Sequence, residues 1–446
     1  SESVKLTGRT MRSNDTTWLV QSGSAVSFTV TGTSASVTLA GDSSIQNEAD
    51  YRPRYAVLVD GEIVADEVMS SAEKTMTLFE GDAIRTAKVQ IIHLSEAMNG
   101  AVGVKDISAV SDRSDAVIPE KGKALSIEFI GDSITCGYGV ETPLGKEQFS
   151  IYNENAAKTY AYKTAQNFGA DYSFVSVSGA GVISGYTNGK DRNESLLVPD
   201  FYDKLCFTWS WFNGEEVAKY DWDFSQYQPE LVVVNLGTND NSYTKNDETK
   251  CAEFAKGYVD FLKEIREKNP NAEILCTLGL MGQELYPTIE KAVADYTAET
   301  GDSKVKATEL SVQDSNANGF AVDYHPAAAS HKTAADELTK AISDIYGWET
   351  VEPVDDGVDA MTKDNDENFD KVVEVSSSMG DSSEEAKPEG SSSEPAKDSS
   401  TAVSSSSAAT TNPNSTSNPN TDAAMGIGIG LAALAGAALI ATKRKK

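Results

Sequence analysis

IEFIGDSITCGYGV, Ile127 to Val140, is the stretch on which the reading of this chain turns. An apolar run ends at Gly131, Asp132 follows, then a lone serine, Ser133, and then a turn rich in glycine. A buried strand that stops by presenting a serine has two readings. One is an ordinary strand-to-loop turn. The other is a nucleophile at the mouth of an α/β sheet, where ligands sit beyond the carboxyl ends of the strands. What flanks the stretch on both sides bears on the choice.

Downstream, strand-like and helix-like segments alternate. LSIEFIG is a strand, residues 155–168 are helical in pattern, and YSFVSVSG is again a strand. ELVVVNLG is a continuous apolar run, as expected for a parallel strand covered on both faces. CAEFAKGYVDFLKEIREKN is an amphipathic helix that stops before Pro270. AEILCTLG, a helix over 287–300, SKVKATELS and a last helix over 328–346 continue the alternation. This predicts an α/β domain, doubly wound in three layers, over residues 121–348. Upstream, residues 1–119 read as all-β. AVSFTVTG, SASVTLAG, YAVLVDG, EKTMTLFEG and AKVQIIHLSE are short alternating runs bounded by Gly, Asp and Ser, a pattern that suggests a sandwich or jelly roll.

At 446 residues the chain is too long for one core, so two domains plus extra segments are expected. The net charge is −30, and the chain is acidic even ahead of its acidic tail. Nucleic acid is excluded as a partner, because phosphate contacts need clustered Lys and Arg. Neutral polymers or small esters suit such a surface better than polyanions. The four cysteines, Cys136, Cys206, Cys251 and Cys276, form no CxxC, which gives no support to a zinc or thioredoxin-like site. Disulfide pairing outside the cell is left open.

The chain opens on SESVKL, which reads as a processed start. Residues 351–421 are rich in Ser, Asp, Glu, Asn and Pro and bury too little apolar surface to offset chain entropy, so a disordered linker is expected. Residues 423–441 are free of charge and long enough to span a membrane, and the basic KRKK, Lys443 to Lys446, favours the cytoplasmic side. NPNTD, Asn418 to Asp422, precedes the span. The layout resembles the sorting signal of Gram-positive surface proteins, with Asn418 and Asp422 where that signal carries Leu and Gly. It implies sortase cleavage after Thr421; a plain C-terminal transmembrane anchor is the alternative. Both place the folded part outside the cell, tethered to wall or membrane on a flexible stalk, and a monomer is expected.

A serine hydroxyl is a weak nucleophile without a base beside it. The chain has three histidines. His93 sits in the β region and is expected to be structural. His331 falls about two turns into the last helix and is expected to pack or bond locally. His325, in AVDYHPAA between the last strand and the last helix, stands at the same end of the sheet as Ser133. Pro326 is expected in the first turn of that helix. Two further strand ends carry a glycine loop, Gly179 to Gly181, and the run NLGTND with Asn239. The N–H groups of Ser133 and Gly179 and the Asn239 amide can converge on a developing oxyanion if those strands are neighbours. Taken alone, Asn239 reads equally as an Asx-turn.

GDSITCGYG, SGAG, GTND and DYHP, in that order and at predicted strand ends, resemble the four blocks of the SGNH, or GDSL-type, hydrolases. The resemblance covers residues 121–348 and implies a flavodoxin-like three-layer fold. With the β region in front it is similar to carbohydrate esterase family two, in which a jelly roll precedes the SGNH domain. That resemblance implies removal of acetyl groups from plant cell-wall polysaccharides such as xylan and glucomannan, with no metal or other cofactor. It implies Ser133 as nucleophile, His325 as base, and Ser133, Gly179 and Asn239 as the oxyanion hole.

Many SGNH enzymes place Asp three residues before the histidine; here Asp323 is two before it. Asp323 is the first candidate for the group that orients the imidazole, a backbone carbonyl or a helix-capping role for Asp323 is the alternative, and Asp314 is a second carboxylate candidate. Asp132 is expected to brace the nucleophile loop. Tyr186 and Tyr324 are candidates to stack on sugar, whose rings present apolar faces. Trp209, Trp211 and Phe212 divide between that role and packing. A lipase or thioesterase on the same fold, or a surface protein that holds glycan without turning it over, are the competing readings.

Overall fold

The computed structural model of the chain describes residues 3–212 and 214–352. The expected linker beyond residue 352, the membrane span, the basic tail and the sorting motif lie outside the described residues. Among the described residues no helix is long and apolar enough to cross a membrane.

Five parallel strands form the central sheet, in the spatial order Asp171–Ser176, Ser126–Gly131, Leu231–Asn235, Glu273–Leu280 and Val305–Val312. In chain order this is 2-1-3-4-5, the flavodoxin-like doubly wound arrangement. Ser126–Gly131 is a central strand in which Ile130 faces Val175 on one neighbour and Val234 on the other. The two-residue period of a strand sorts its side chains between two cores. Ile127 and Phe129 pack with Tyr160, Ala161, Leu338 and Ile342 under the helices Tyr160–Asn167 and Ala328–Tyr346. Ile130, with Val232 and Val234, packs on the opposite face with Phe254, Tyr258, Ile289 and Tyr296 of the helices Glu248–Lys268 and Tyr286–Thr300. Each such fully buried side chain contributes about 1.5–3 kcal/mol.

The N-terminal region is a nine-stranded antiparallel sheet. Two of its strands differ from the sequence expectation. AVSFTVTG and SASVTLAG are one strand, Ala25–Gly41, and EKTMTLFEG and AKVQIIHLSE run together as Glu73–His93. Gly32 and Gly81, read as boundaries, lie inside these strands. At Gly32 the register of the long pair slips, and a Cβ there would meet the Val110 carbonyl oxygen at 2.5 Å. A glycine inside a strand marks a bulge or a close backbone approach.

The two parts share buried polar contacts as well as apolar ones. Arg9, fully buried in the antiparallel part, lies 3.6 Å from Glu128 of the central strand and donates to the carbonyls of Tyr202, at 2.7 Å, and Lys204. Its guanidinium also sits over the rings of Tyr202, Trp222 and Phe224. Arg54 clamps Asp66 on its own sheet and Glu141 at 2.7 Å on the α/β side. Phe212 is buried and stacks on Trp18 at 4.6 Å, whereas Trp209 and Trp211 remain exposed. All four cysteines are free thiols.

Candidate active site

Ser133 opens a four-residue helix, Ser133–Cys136, directly after the central strand. Asp132 caps it, accepting the Ile134 N–H at 3.0 Å. Gly131 is needed because the helix folds back on it: a Cβ there would meet Thr135 Oγ1 at 2.1 Å. The turn closes at Gly137, in left-handed backbone at φ 81°, against the Asn155 carbonyl. Ser133 is thus held at a fixed position at the carboxyl end of the sheet.

His325 arrives from the far side of the sheet, through the long connection after Val305–Val312. Its Nε2 accepts the Ser133 hydroxyl at 2.9 Å. Its Nδ1 lies 3.2 Å from the Val322 carbonyl oxygen. A carbonyl can only accept, so Nδ1 carries the proton and Nε2 has its lone pair toward Ser133. Burial pushes the imidazole down to about 4, against a smaller opposing pull from Asp323, so it stands neutral and ready to take a proton.

Asp323, the expected orienting carboxylate, accepts instead the Tyr138 hydroxyl at 2.9 Å and is exposed. The reason is local backbone geometry. Asp323 and Tyr324 both adopt left-handed conformations, at φ 51° and 62°, which turn the Asp323 side chain away and leave the Val322 carbonyl at Nδ1. Asp314, the second candidate, caps the short helix Ser315–Asn318. Pro326 falls just before the N-cap Ala327, so His331 stands in the first turn of the last helix. There its Nδ1 accepts the Tyr160 N–H at 3.2 Å, and burial holds its ring down to about 3. His93 is fully buried, pairs with Ser95 Oγ at 3.1 Å and is likewise held down to about 4 by burial.

The strand order brings the other two motifs alongside. Ser126–Gly131 has Asp171–Ser176 on one side and Leu231–Asn235 on the other, so the glycine loop and Asn239 flank Ser133. The Asn239 amide donates to the Ala180 carbonyl at 2.8 Å and to Asp132 at 3.1 Å, spanning the glycine loop and the Ser133 turn. Asp240 accepts the N–H groups of Val182, Ile183 and Ser184, which fixes the rest of that loop. Burial lifts Asp132 to about 7 and Asp240 to about 6, the latter against the three backbone donors that favour its charge.

Tyr186, half-buried, hydrogen-bonds its N–H to the Gly179 carbonyl at 2.8 Å, and half-buried Tyr324 lies beside Phe320. Tyr138 is a site residue that the sequence reading passed over. Its ring lies 4.4 Å from that of His325 and stacks on Phe149 at 3.9 Å, closing one side of the imidazole. Its place in CGYG, inside the nucleophile block, was the available signal.

A serine turn on the first strand, joined to a histidine from beyond the fifth, characterises the GDSL-type hydrolase class. The GDSL-like Lipase/Acylhydrolase family matches residues 129–338, and the Carbohydrate esterase 2 N-terminal family matches residues 6–114. The chain is 30% identical to a solved family two carbohydrate esterase from Clostridium thermocellum in complex with cellohexaose, at a TM-score of 0.65 over 77% of this chain and 99% of that one. It therefore belongs to carbohydrate esterase family two. It is also similar to the cellulase/esterase CelE of Acetivibrio thermocellus, 32% identical over 331 residues; these are 73% of this chain but 37% of that protein. The acetylxylan esterase/glucomannan deacetylase of Cellvibrio japonicus is 26% identical over 77% of this chain and 89% of its own length.

Proposed function

We propose that this chain is an extracellular serine esterase that removes O-acetyl groups from neutral plant cell-wall polysaccharides, xylan and glucomannan among them. The observation that carries the reading is the 2.9 Å hydrogen bond from Ser133 Oγ to a neutral His325 whose other nitrogen is held by a carbonyl. Ser133 attacks the acetyl carbonyl carbon while His325 Nε2 takes the hydroxyl proton. The carbonyl oxygen becomes an oxyanion among the N–H groups of Ser133 and Gly179 and the Asn239 amide, whose bond to Asp132 is the longer of its two and the one to yield. His325 returns the proton to the departing sugar oxygen, leaving acetyl-Ser133. Water then gives its proton to His325, attacks the acyl carbon and releases acetate, and Ser133 recovers its proton. Orientation of the imidazole falls to Val322 rather than to an aspartate in this account. Tyr186 and Tyr324 are the proposed sugar contacts, and the tail beyond residue 352 the proposed tether to wall or membrane.

The test is acetate release from acetylated xylan, acetylated glucomannan and a long-chain acyl ester by this chain and by Ser133→Ala. Release from polysaccharide that disappears in Ser133→Ala is expected. Turnover of the long-chain ester alone would overturn the substrate assignment, and glycan binding with no turnover would overturn the enzymatic one.

A further inference from the structure

Glu96 lies in the antiparallel part of the chain, just past the strand that ends at His93, and is 2% exposed. Its side chain leaves that part altogether. Glu96 Oε2 accepts the N–H of Ser178 at 2.8 Å, the residue immediately before Gly179. The same oxygen lies 3.8 Å from Cys136 Sγ, the last residue of the helix that Ser133 begins. One carboxylate oxygen thus touches both the glycine loop and the nucleophile turn, from behind.

Two buried carboxyls meet here, and their charge has to be accounted for. Glu154, fully buried, accepts the Glu96 N–H through Oε2 at 3.1 Å, while its Oε1 has no hydrogen-bond partner among the described residues. Oxygen and sulfur atoms of Glu96, Glu154 and Cys136 lie within 4.8 Å of one another, close enough for a cation to be considered. Burial argues for a proton instead, because it disfavours a second charge beside the first. One N–H points at one oxygen of each carboxyl, that of Ser178 at Glu96 and that of Glu96 at Glu154. Burial holds Glu154 far above the usual carboxyl range and raises Glu96 as well; in either protonation state Glu96 Oε2 accepts the Ser178 N–H.

We propose that Glu96 is a positioning residue for the esterase reaction, supplied by the antiparallel domain, that holds the Val177–Ser178 peptide, next to the one that carries the Gly179 N–H, and the Ser133 turn in register for the oxyanion. The inference rests on the reading of Ser133 and Gly179 given above. In this account an acceptor from the first part of the chain sets the donor geometry of the second. An N–H displaced from the oxyanion loses strength steeply with angle and distance.

The experiment uses the full chain with a small, freely soluble aryl acetate, so that glycan recognition plays no part. Wild type, Ser133→Ala, Glu96→Asp and Glu96→Gln are compared for kcat and KM, with near-ultraviolet circular dichroism as the check on folding. Glu96→Asp keeps the charge but withdraws the oxygen by one carbon–carbon bond; it should lower kcat by about tenfold or more and leave KM within about twofold. Glu96→Gln keeps an acceptor at the original reach and should return kcat to within about threefold of wild type. A folded Glu96→Asp with unchanged kcat, a loss confined to KM, or a Glu96→Gln no better than Glu96→Asp overturns the proposal. If Glu96→Asp does not fold, Glu96→Met, which matches the volume but accepts no hydrogen bond, is held to the same criteria. Turnover that persists in Ser133→Ala, or is missing from wild type, overturns the esterase reading and this inference with it. Ser133-dependent turnover that is indifferent to Glu96 overturns this inference alone.

Discussion

Replacing Asp323 by asparagine separates two ways of orienting a catalytic imidazole. Where an aspartate carboxylate accepts the Nδ1 proton, its conversion to asparagine costs about 10⁴ in kcat, or about 5.4 kcal/mol of transition-state stabilisation. Here the Nδ1 partner is the Val322 carbonyl, 3.2 Å away, which the substitution leaves in place. Asparagine tolerates the left-handed backbone at φ 51° and its side-chain oxygen can still accept the Tyr138 hydroxyl. What remains to be lost is the attraction between an exposed carboxylate and the imidazolium that forms during turnover. In high dielectric this is worth at most about 1 kcal/mol, which is about fivefold in rate. Initial rates of acetate release, measured on the pH plateau for wild type and Asp323→Asn, should therefore differ by about fivefold or less. A fall of about 10³ or more would show that Asp323 swings onto the imidazole during turnover and would refute the carbonyl assignment.

Burial holds His325 neutral down to about 4, so deprotonation is complete well below neutrality and kcat/KM should rise through pH 4 and be level by pH 6; an acid limb between pH 6 and 7 would refute this. Arg9→Ala leaves Glu128, 2% exposed, without its 3.6 Å cation, and should cost about 3–5 kcal/mol in urea unfolding; a loss under about 1 kcal/mol would show the pair contributes nothing net. Gly131→Ala sets a methyl 2.1 Å from Thr135 Oγ1 and should destabilise by about 1–3 kcal/mol while lowering kcat, since the strain falls on the Ser133 turn; wild-type kinetics would mean the turn relaxes freely.

The α/β class was legible because its signals are local. A run such as LVVVN, buried at every position, reads directly as a parallel strand, and the last helix runs Ala328–Tyr346 as its apolar spacing indicates. Ser133, Gly179 and Asn239 could be singled out because each follows a strand. That they face one another depended on which strands are neighbours. The order 2-1-3-4-5 puts the first strand between the second and third, and only packing of two helical layers on a twisted sheet sets that order.

In the antiparallel part, alternation gave the strands but not their lengths. Gly32 looks the same in sequence whether it ends a strand or bulges within one; the approach of the Val110 carbonyl decides. The sequence by itself determined the chemistry on offer: one serine after a strand, one histidine at the matching end, and an asparagine and a glycine loop between them. The tertiary structure alone decided how that chemistry is held. The left-handed turn at Asp323 and Tyr324 hands the imidazole to a carbonyl, and Glu96 reaches Ser178 across 82 residues of chain. Neither leaves a local pattern, because each is set by backbone geometry and by contacts between parts distant in sequence.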